Sequence, residues 1–168
     1  MTDNTNNIDH QMHVPQESNN LNVEDVSQKI KHQFLDLYNS GVNLFSIAKY
    51  NEAKQKFLDC MIYGYESDKC LKSIASCCQM LEEYDEAINF YKVALLYNES
   101  ANVDCYQFIG VCAVKAKRFG DAVNVLEIYL SAVGDDGDNP ERIKSAKLYL
   151  NIANKKLTEK NNEDSELE

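Results

Sequence analysis

Residues 83–91 read EYDEAINFY, in which Ala87 lies between two tyrosines, one three residues before it and one four residues after it. The same arrangement occurs in KYNEAKQKF (49–57) and, in a more degenerate form, in RFGDAVNVL (118–126). The central alanines are 34 and 35 residues apart. Because each copy places a small residue between an aromatic and a large apolar residue, the stretch is one instance of a repeated unit.

The agreement between the three copies extends upstream of the alanines. Twelve residues before each alanine lies a small residue: Gly41, Ala75 and Gly110. Sixteen residues before each lies a large one: Leu37, Leu71 and Tyr106. The few residues between the two blocks are polar, as in a short connection between helices. Each unit is therefore predicted to be two antiparallel helices, which cross closely because one presents a small residue where the other presents a bulky one.

A repeat of about 34 residues with this pattern resembles the tetratricopeptide repeat, or TPR. The resemblance implies an all-α fold, in which three TPR units form a short right-handed helical solenoid that ends in a C-terminal capping helix. We expect the units at residues 34–66, 68–100 and 103–134. Two positions depart from the TPR pattern, since Ser40 replaces an expected leucine and Tyr129 an expected small residue.

The segments outside the repeats differ from one another in composition. Residues 1–22 are polar and include six asparagines, so we expect a disordered tail there. Residues 23–33 are predicted to extend the first helix backwards. An N-cap asparagine followed by proline, with an apolar residue every seven positions, predicts a capping helix at 139–158. Residues 159–168 are expected to form an acidic, disordered tail.

Composition and charge exclude several classes of protein. The chain has 168 residues, a net charge of −10 and no uncharged apolar stretch that approaches the roughly 18 residues of a membrane span. Its N-terminal residues have neither a basic start nor an apolar segment, so we expect no secretory signal and a cytosolic location. The acidic surface repels nucleic acid and anionic lipid, so neither nucleic-acid binding nor membrane insertion is expected.

The six cysteines are predicted to be reduced core residues. Two pairs, Cys70 with Cys105 and Cys77 with Cys112, are each 35 residues apart, which is the repeat length. The chain has no CxxC pair and no Cys/His cluster with the spacing of a zinc site. Small thiols at repeated core positions account for this pattern.

The candidate functional residues follow from the repeat register. In a TPR solenoid the first helices of successive units line a concave groove that commonly takes an extended peptide. In the first unit the groove positions are Leu35, Tyr38, Val42 and Phe45; in the second Lys69, Lys72, Ser76, Gln79 and Met80; in the third Asp104, Gln107, Phe108, Val111 and Val114. The groove thus has apolar ends and a polar, weakly basic middle.

Some TPR adaptors hold a partner's C-terminal carboxylate with lysine, arginine and asparagine at these positions. Here Tyr38 and Val42 occupy two of them, so the clamp is incomplete. The groove is therefore predicted to take an internal or N-terminal apolar segment of a partner. The alternative interpretation for each of these residues is that its side chain packs against a neighbouring helix instead of facing the groove.

A catalytic site is not expected. Catalysis would require a nucleophile, a base and an orienting group in one pocket, and the three histidines do not provide such a set. We therefore predict a protein that is not an enzyme, with no catalytic residues, no bound metal and no cofactor. The acidic stretch GDDGDN (134–139) lacks the spacing of a calcium loop and is interpreted as a turn before the capping helix.

The stretches LYNSGVNLFSIAKYNEAKQKF (37–57) and CCQMLEEYDEAINFY (77–91) resemble the class II chaperones of bacterial type III secretion, the SycD/LcrH kind that bind translocators. The resemblance covers about residues 34–157. It implies a bacterial cytoplasmic, virulence-associated chaperone that keeps hydrophobic, pore-forming translocator proteins soluble by holding an extended segment near the client's N-terminus. The aromatic residues of the family's first repeat correspond to Tyr38, Phe45 and Tyr50 in this sequence. Tyr50 is equally suited to a structural role in the turn.

Two features of the family prediction stay open. The family often dimerises through a glycine-containing helix before the first repeat, whereas this chain has no glycine before Gly41, so a homodimer is an alternative to a monomer. The second functional hypothesis is a general TPR adaptor for protein–protein interaction, or a needle-subunit chaperone of a secretion apparatus.

Overall fold

A computed structural model describes residues 22–134 and 139–166 of the chain. These residues form the following helices: α1 Val23–Ser46, α2 Tyr50–Cys60, α3 Ser67–Met80, α4 Tyr84–Tyr97, α5 Asp104–Lys115, α6 Phe119–Val133 and α7 Pro140–Glu166. Short 3₁₀ turns at Met61–Tyr63 and Ser100–Asn102 lie in the connections between repeats. The described part of the chain contains no strand, so the all-α prediction is confirmed. The expected tail at 1–21, most of the GDDGDN turn (135–138) and residues 167–168 lie outside the described residues.

Neighbouring helices pack in chain order, which produces three helix pairs followed by a single helix. The pairs are α1 with α2, α3 with α4, and α5 with α6; α2 also packs on α3 and α4 on α5. The last helix, α7, packs on both α6 and α5. The helix pairs therefore stack as a solenoid, and α7 closes its C-terminal end. None of the described helices has the length and hydropathy needed to cross a bilayer.

The steric pairing inferred from the repeat is present at atomic distances. A methyl group placed on Gly41 would lie 2.7 Å from the ring of Phe57, and one placed on Gly110 would lie 2.5 Å from a methyl carbon of Leu126. The central alanines, of which Ala87 is the middle one, are fully buried. At Gly41 and Gly110 only a residue without a side chain allows the paired helices to approach this closely, and the second repeat has the small residue Ala75 at this position. The alternation of small and large residues therefore determines the helix crossing.

The turn within each helix pair repeats as well. Ala48, Glu82 and Lys117 have backbone φ angles of 60°, 63° and 60°, in the left-handed region. In each turn the amide of the following residue donates to a carbonyl five residues before it, as in Lys49 to Leu44 (2.9 Å) and Arg118 to Ala113 (2.8 Å). These are Schellman caps, which usually carry glycine at the left-handed position. The three turns therefore share one backbone geometry, although none of them has glycine at the left-handed position.

The helix α7 is longer than the sequence predicted. The Asn139 side chain accepts a hydrogen bond from the amide of Arg142 (3.0 Å), which caps the helix start as expected. The helix then continues to Glu166, whereas the expected capping helix ended at 158 and was followed by a tail. No proline or glycine lies at 159–166, and an ion pair between Lys156 and Glu159 (2.8 Å) spans the expected end. The absence of a helix breaker and a favourable side-chain pair therefore allow the helix to continue past 158.

The cysteines are buried, reduced residues of the core. All six thiols are free. Burial raises the pKa of Cys77 to about 11, and it raises the pKa to about 12 for the other thiols with large shifts: Cys70, Cys78, Cys105 and Cys112. These thiols are protonated at neutral pH and serve as small apolar side chains between the helices.

Candidate peptide-binding groove

The first helices of the three pairs, α1, α3 and α5, form the surface that is called the groove face below. On α1 and α3 an apolar pocket of about 180 Å³ opens onto this face, lined by Val42, Phe45, Phe57, Ser73 and Ser76. Three of the five residues are sequence-predicted groove residues. The aromatic rings form the walls of the pocket and the serines lie along one side, so the pocket suits an apolar side chain.

Phe57 and Ser73 were not among the predicted groove residues. In the repeat pattern Phe57 is the large apolar residue four positions after Ala53. It is almost fully buried against Gly41, and it also lines the pocket. Ser73 lies on the same face of α3 as Ser76, three residues before it, and this spacing is the signal that points to it. Tyr50 lies edge-on to Phe45, with ring centroids 5.1 Å apart, so it supports a pocket wall from the start of α2.

Hydroxyl groups form a polar row beside the pocket. The hydroxyl groups of Tyr38 and Ser73 are 2.9 Å apart, and those of Ser76 and Tyr91 are 3.1 Å apart. Tyr91 also donates to the side-chain oxygen of Gln79 (3.3 Å). In the repeat pattern Tyr91 is the large residue four positions after Ala87, which is a core position. Its ring is buried there, and burial raises the pKa of its hydroxyl, but that hydroxyl reaches the groove face from α4.

The two groove lysines have different surroundings. The Lys69 ammonium is 2.8 Å from a carboxylate oxygen of Glu66 and 4.5 Å from the centre of the Tyr38 ring. The hydrogen bond to Glu66 raises the pKa of Lys69. Lys72 lies one helical turn further along α3 and is half-buried. Among the described residues, none is joined to the Lys72 ammonium by a hydrogen bond or an ion pair.

The third repeat contributes less open surface than the sequence predicted, because α7 packs against α5. Gln107 is only 4% exposed and donates a hydrogen bond to the hydroxyl of Ser145 on α7 (3.2 Å). Val111 is 8% exposed. Phe108 is held between the stacked ring of Tyr91, 5.2 Å away, and the guanidinium of Arg142, 5.1 Å away. In the third repeat these predicted groove residues therefore pack against neighbouring helices, which is the alternative interpretation given above.

The remaining predicted residues lie around this arrangement. Leu35 and Met80 are exposed apolar residues, on α1 and at the end of α3. Val114 is half-buried and packs against the main core. Asp104, at the start of α5, forms an ion pair with Arg142 (3.4 Å). The exposed apolar part of the groove face is therefore concentrated on the first two repeats.

A cluster of Cys78, Glu83 and Glu86 has its ligand-type atoms within 4.8 Å of one another. The ammonium of Lys54 lies 2.6 Å from Glu83 and 3.5 Å from Glu86, in the position that a metal cation would take. The hydrogen bond from Lys54 lowers the pKa of Glu83. This cluster is therefore an ion pair that joins the first repeat to the second.

Comparison with known proteins identifies the fold. A family model described as "Tetratricopeptide repeat" matches residues 62–100. The uncharacterized protein YgeG of Escherichia coli is 29% identical over 104 residues, which cover 61% of this chain and 60% of that protein. The chain thus matches about 60% of the length of its curated relative.

Several solved structures are similar to this one. The Yersinia enterocolitica type III secretion chaperone SycD, in complex with a peptide of the translocator YopD, superposes with a TM-score of 0.68 at 16% identity, covering 74% of this chain and 95% of that one. PcrH of Pseudomonas aeruginosa, with the chaperone binding region of PopD, gives 0.66 at 17% identity, covering 74% and 92%. The first TPR domain of RPAP3, bound to an HSP90 peptide, gives 0.65 at 20% identity, covering 76% and 94%. At these identities the similarity concerns the fold, which is an all-α TPR solenoid.

Proposed function

We propose that this chain is a non-enzymatic chaperone whose groove face holds an extended, apolar segment of a hydrophobic translocator protein of type III secretion. The observation that carries the proposal is the apolar pocket formed by Val42, Phe45 and Phe57 on the face where TPR proteins take peptides. The SycD and PcrH structures, which hold translocator segments on a similar fold, support the choice of client. The chaperone acts in the bacterial cytoplasm before the client is secreted.

The chemistry of the pocket favours an internal segment over a charged C-terminus. Tyr38 and Val42 stand where a carboxylate clamp would place lysine and asparagine, and Val42 is 45% exposed at the pocket rim. An apolar side chain that enters the pocket is removed from water, which contributes roughly 1.5–3 kcal/mol for each fully buried anchor. Micromolar binding requires about 8 kcal/mol in net terms, so the client has to supply several anchors.

Co-expression with candidate translocators tests the proposal. We expect the client to become soluble and to co-purify with the chain. Val42→Glu places a charge on the exposed pocket rim without disturbing the core. Tyr38→Ala/Phe45→Ala removes one aromatic wall of the pocket, Phe45, and the ring of Tyr38, whose hydroxyl is hydrogen-bonded to Ser73 beside the pocket. Both changes should release the client into the insoluble fraction. Tyr97→Ala, which removes an aromatic residue that is 57% exposed at the end of α4, is the matched control and should retain the client.

The mutant pattern also separates the second hypothesis. If translocators stay insoluble in the presence of the wild-type chain, or bind the pocket variants as well as the wild type, the groove proposal is wrong. Binding of a soluble protein or a needle subunit through the same pocket would instead identify a TPR adaptor or a needle-subunit chaperone. Purification of the chain from its host, followed by identification of the protein bound through the pocket, distinguishes these cases.

A further inference from the structure

Lys72 is a cation on the groove face that the apolar pocket does not explain. It lies on α3 one turn before Ser76, whose hydroxyl lines the pocket and donates to the backbone carbonyl of Lys72 (2.9 Å). The Lys72 side chain is half-buried, and its charge acts on the Cys105 thiol at the start of α5. A client segment that fills the pocket and continues along the groove face therefore passes the Lys72 ammonium.

The contrast with Lys69 shows that Lys72 is not part of an internal ion pair. Lys69 is held by Glu66 and by the ring of Tyr38. Asp68 lies one turn before Lys72 on the same helix, yet no ion pair within 4.0 Å joins the two. In the part of the chain that the structure describes, the Lys72 ammonium has no carboxylate partner.

A bound segment would change the solvation of this cation. An extended peptide laid over α3 removes water from the half-buried ammonium, and a buried charge without a partner is destabilising. A carboxylate on the peptide offsets this cost with a charge-assisted hydrogen bond, which is about twice as strong as a neutral one. Because the chain carries a net charge of −10, an acidic segment is repelled by most of the surface, and Lys72 provides a local exception beside the pocket.

We propose that Lys72 determines specificity, selecting client segments in which an aspartate or glutamate lies two or three residues from the apolar residue that fills the pocket. This inference rests on the proposed function of the groove. The spacing follows from geometry: successive turns of α3 are about 5.4 Å apart, the lysine side chain adds about 6 Å of reach, and an extended peptide advances about 3.3 Å per residue. Two or three residues, or about 7 to 10 Å, therefore join the pocket to the ammonium.

Selection from a phage-displayed library of random twelve-residue peptides on the immobilised chain tests the inference without a known client. With the wild type we expect enrichment of an apolar residue with Asp or Glu two or three positions away. The charge reversal Lys72→Glu should change the enriched residue to Lys or Arg. Lys92→Glu makes the same change in charge at an exposed lysine on α4 and should leave the wild-type pattern intact.

A binding measurement on a selected peptide gives the size of the effect. Replacing the peptide's Glu by Gln should weaken fluorescence-anisotropy binding to the wild type roughly tenfold, as expected for a desolvated charge-assisted hydrogen bond. The same replacement should have no effect on Lys72→Met, whose side chain preserves the aliphatic packing. It should keep its full effect on Lys92→Met.

The outcomes separate the two proposals. Enrichment of apolar residues without an acidic neighbour, or an equal loss from Glu→Gln on wild type and Lys72→Met, overturns the role of Lys72 and leaves the groove function standing. Absence of apolar enrichment, or the same enriched sequences on Val42→Glu, overturns the groove function and the inference with it. Matching melting temperatures of the lysine variants exclude misfolding as the cause.

Discussion

Replacement of Gly110 by alanine tests the steric basis of the repeat. The added methyl carbon would lie 2.5 Å from the Cδ2 methyl of Leu126, whereas carbon atoms in contact are normally about 3.5–4.0 Å apart. Leu126 is fully buried and packs with Tyr129, Ile143 and Ala146, so it has little room to retreat by the required distance. Overpacking of this kind costs about 3 kcal/mol at the upper end of its usual range, and the better helix propensity of alanine offsets about 1 kcal/mol.

The net expectation for Gly110→Ala is a loss of about 2 kcal/mol in the free energy of unfolding, or a melting temperature lower by about 4–8 °C. Urea unfolding and thermal melting followed by circular dichroism at 222 nm measure both quantities. Gly120→Ala is the matched control: a methyl group added at Gly120, in the first turn of α6, meets no atom within 4 Å. It should be neutral or stabilise the protein by up to about 1 kcal/mol.

A double-mutant cycle decides whether the clash is with Leu126. Leu126→Ala alone should cost about 2–5 kcal/mol because it leaves a cavity. In that background the Gly110→Ala methyl has space, so its effect should change sign and become stabilising by about 1 kcal/mol. The coupling energy is then about 3 kcal/mol. An equal cost of Gly110→Ala in both backgrounds would refute the steric pairing and, with it, the register from which the groove residues are assigned.

Three further measurements test other parts of the structure. Lys117→Gly should stabilise the protein by about 0.5–1 kcal/mol because glycine relieves the left-handed strain at the Schellman cap. Lys92→Gly, at an exposed position in the interior of α4, should destabilise it by a similar amount; chemical unfolding that shows equal signs for the two would contradict the assigned turn. The six thiols should stay unreactive toward a disulfide reagent at pH 8 until urea unfolds the chain, and thiol release in the native state would show that burial does not protect them. The Lys54 hydrogen bond lowers the pKa of Glu83 below its usual 4.5, so the pair stabilises the fold above pH 4.5 and this contribution is lost as pH falls through the lower folded value. Lys54→Met should therefore cost about 0.5–1 kcal/mol at pH 7, after discounting for the exposure of Glu83, and progressively less as the pH falls below 4.5; a constant difference across this range would contradict the ion pair.

Local steric rules were enough to predict the helix pairs from the sequence. The alanine register predicted that small residues such as Gly41 and Gly110 lie where two helices cross, because a small residue recurs there at the repeat period. The structure identifies the bulky partners as Phe57 and Leu126. The end of α7 could not be predicted in the same way. Residues after 158 have no breaker and no apolar stripe, so composition alone did not distinguish a helix from an acidic tail.

The candidate site was predicted less well because it depends on contacts between repeats. The rule that first helices face the groove treats every repeat alike, so it assigned Gln107 and Val111 to open surface, although both are buried and Gln107 is hydrogen-bonded to Ser145 on α7. It also omitted Tyr91, which lies on a second helix, although the long side chain carries its hydroxyl to within 3.1 Å of the Ser76 hydroxyl on α3. Neither outcome is encoded in the local pattern, because both depend on how far a side chain reaches across a neighbouring helix.

The covering of the third repeat by α7 bears on how strongly the groove can hold a client. Two exposed first helices, spaced about 10 Å apart, are crossed by an extended segment of about six residues, of which alternate side chains, about three, face the protein. Three anchors supply at most about 5–9 kcal/mol before the cost of ordering the segment is subtracted. Binding through the apolar contacts alone is therefore weaker than micromolar, which is compatible with client release in the proposed chaperone function. When the apolar contacts bind this weakly, the groove is only partly occupied. The proposed charged contact at Lys72 then changes the fraction of bound chain more than it would in a tightly bound complex.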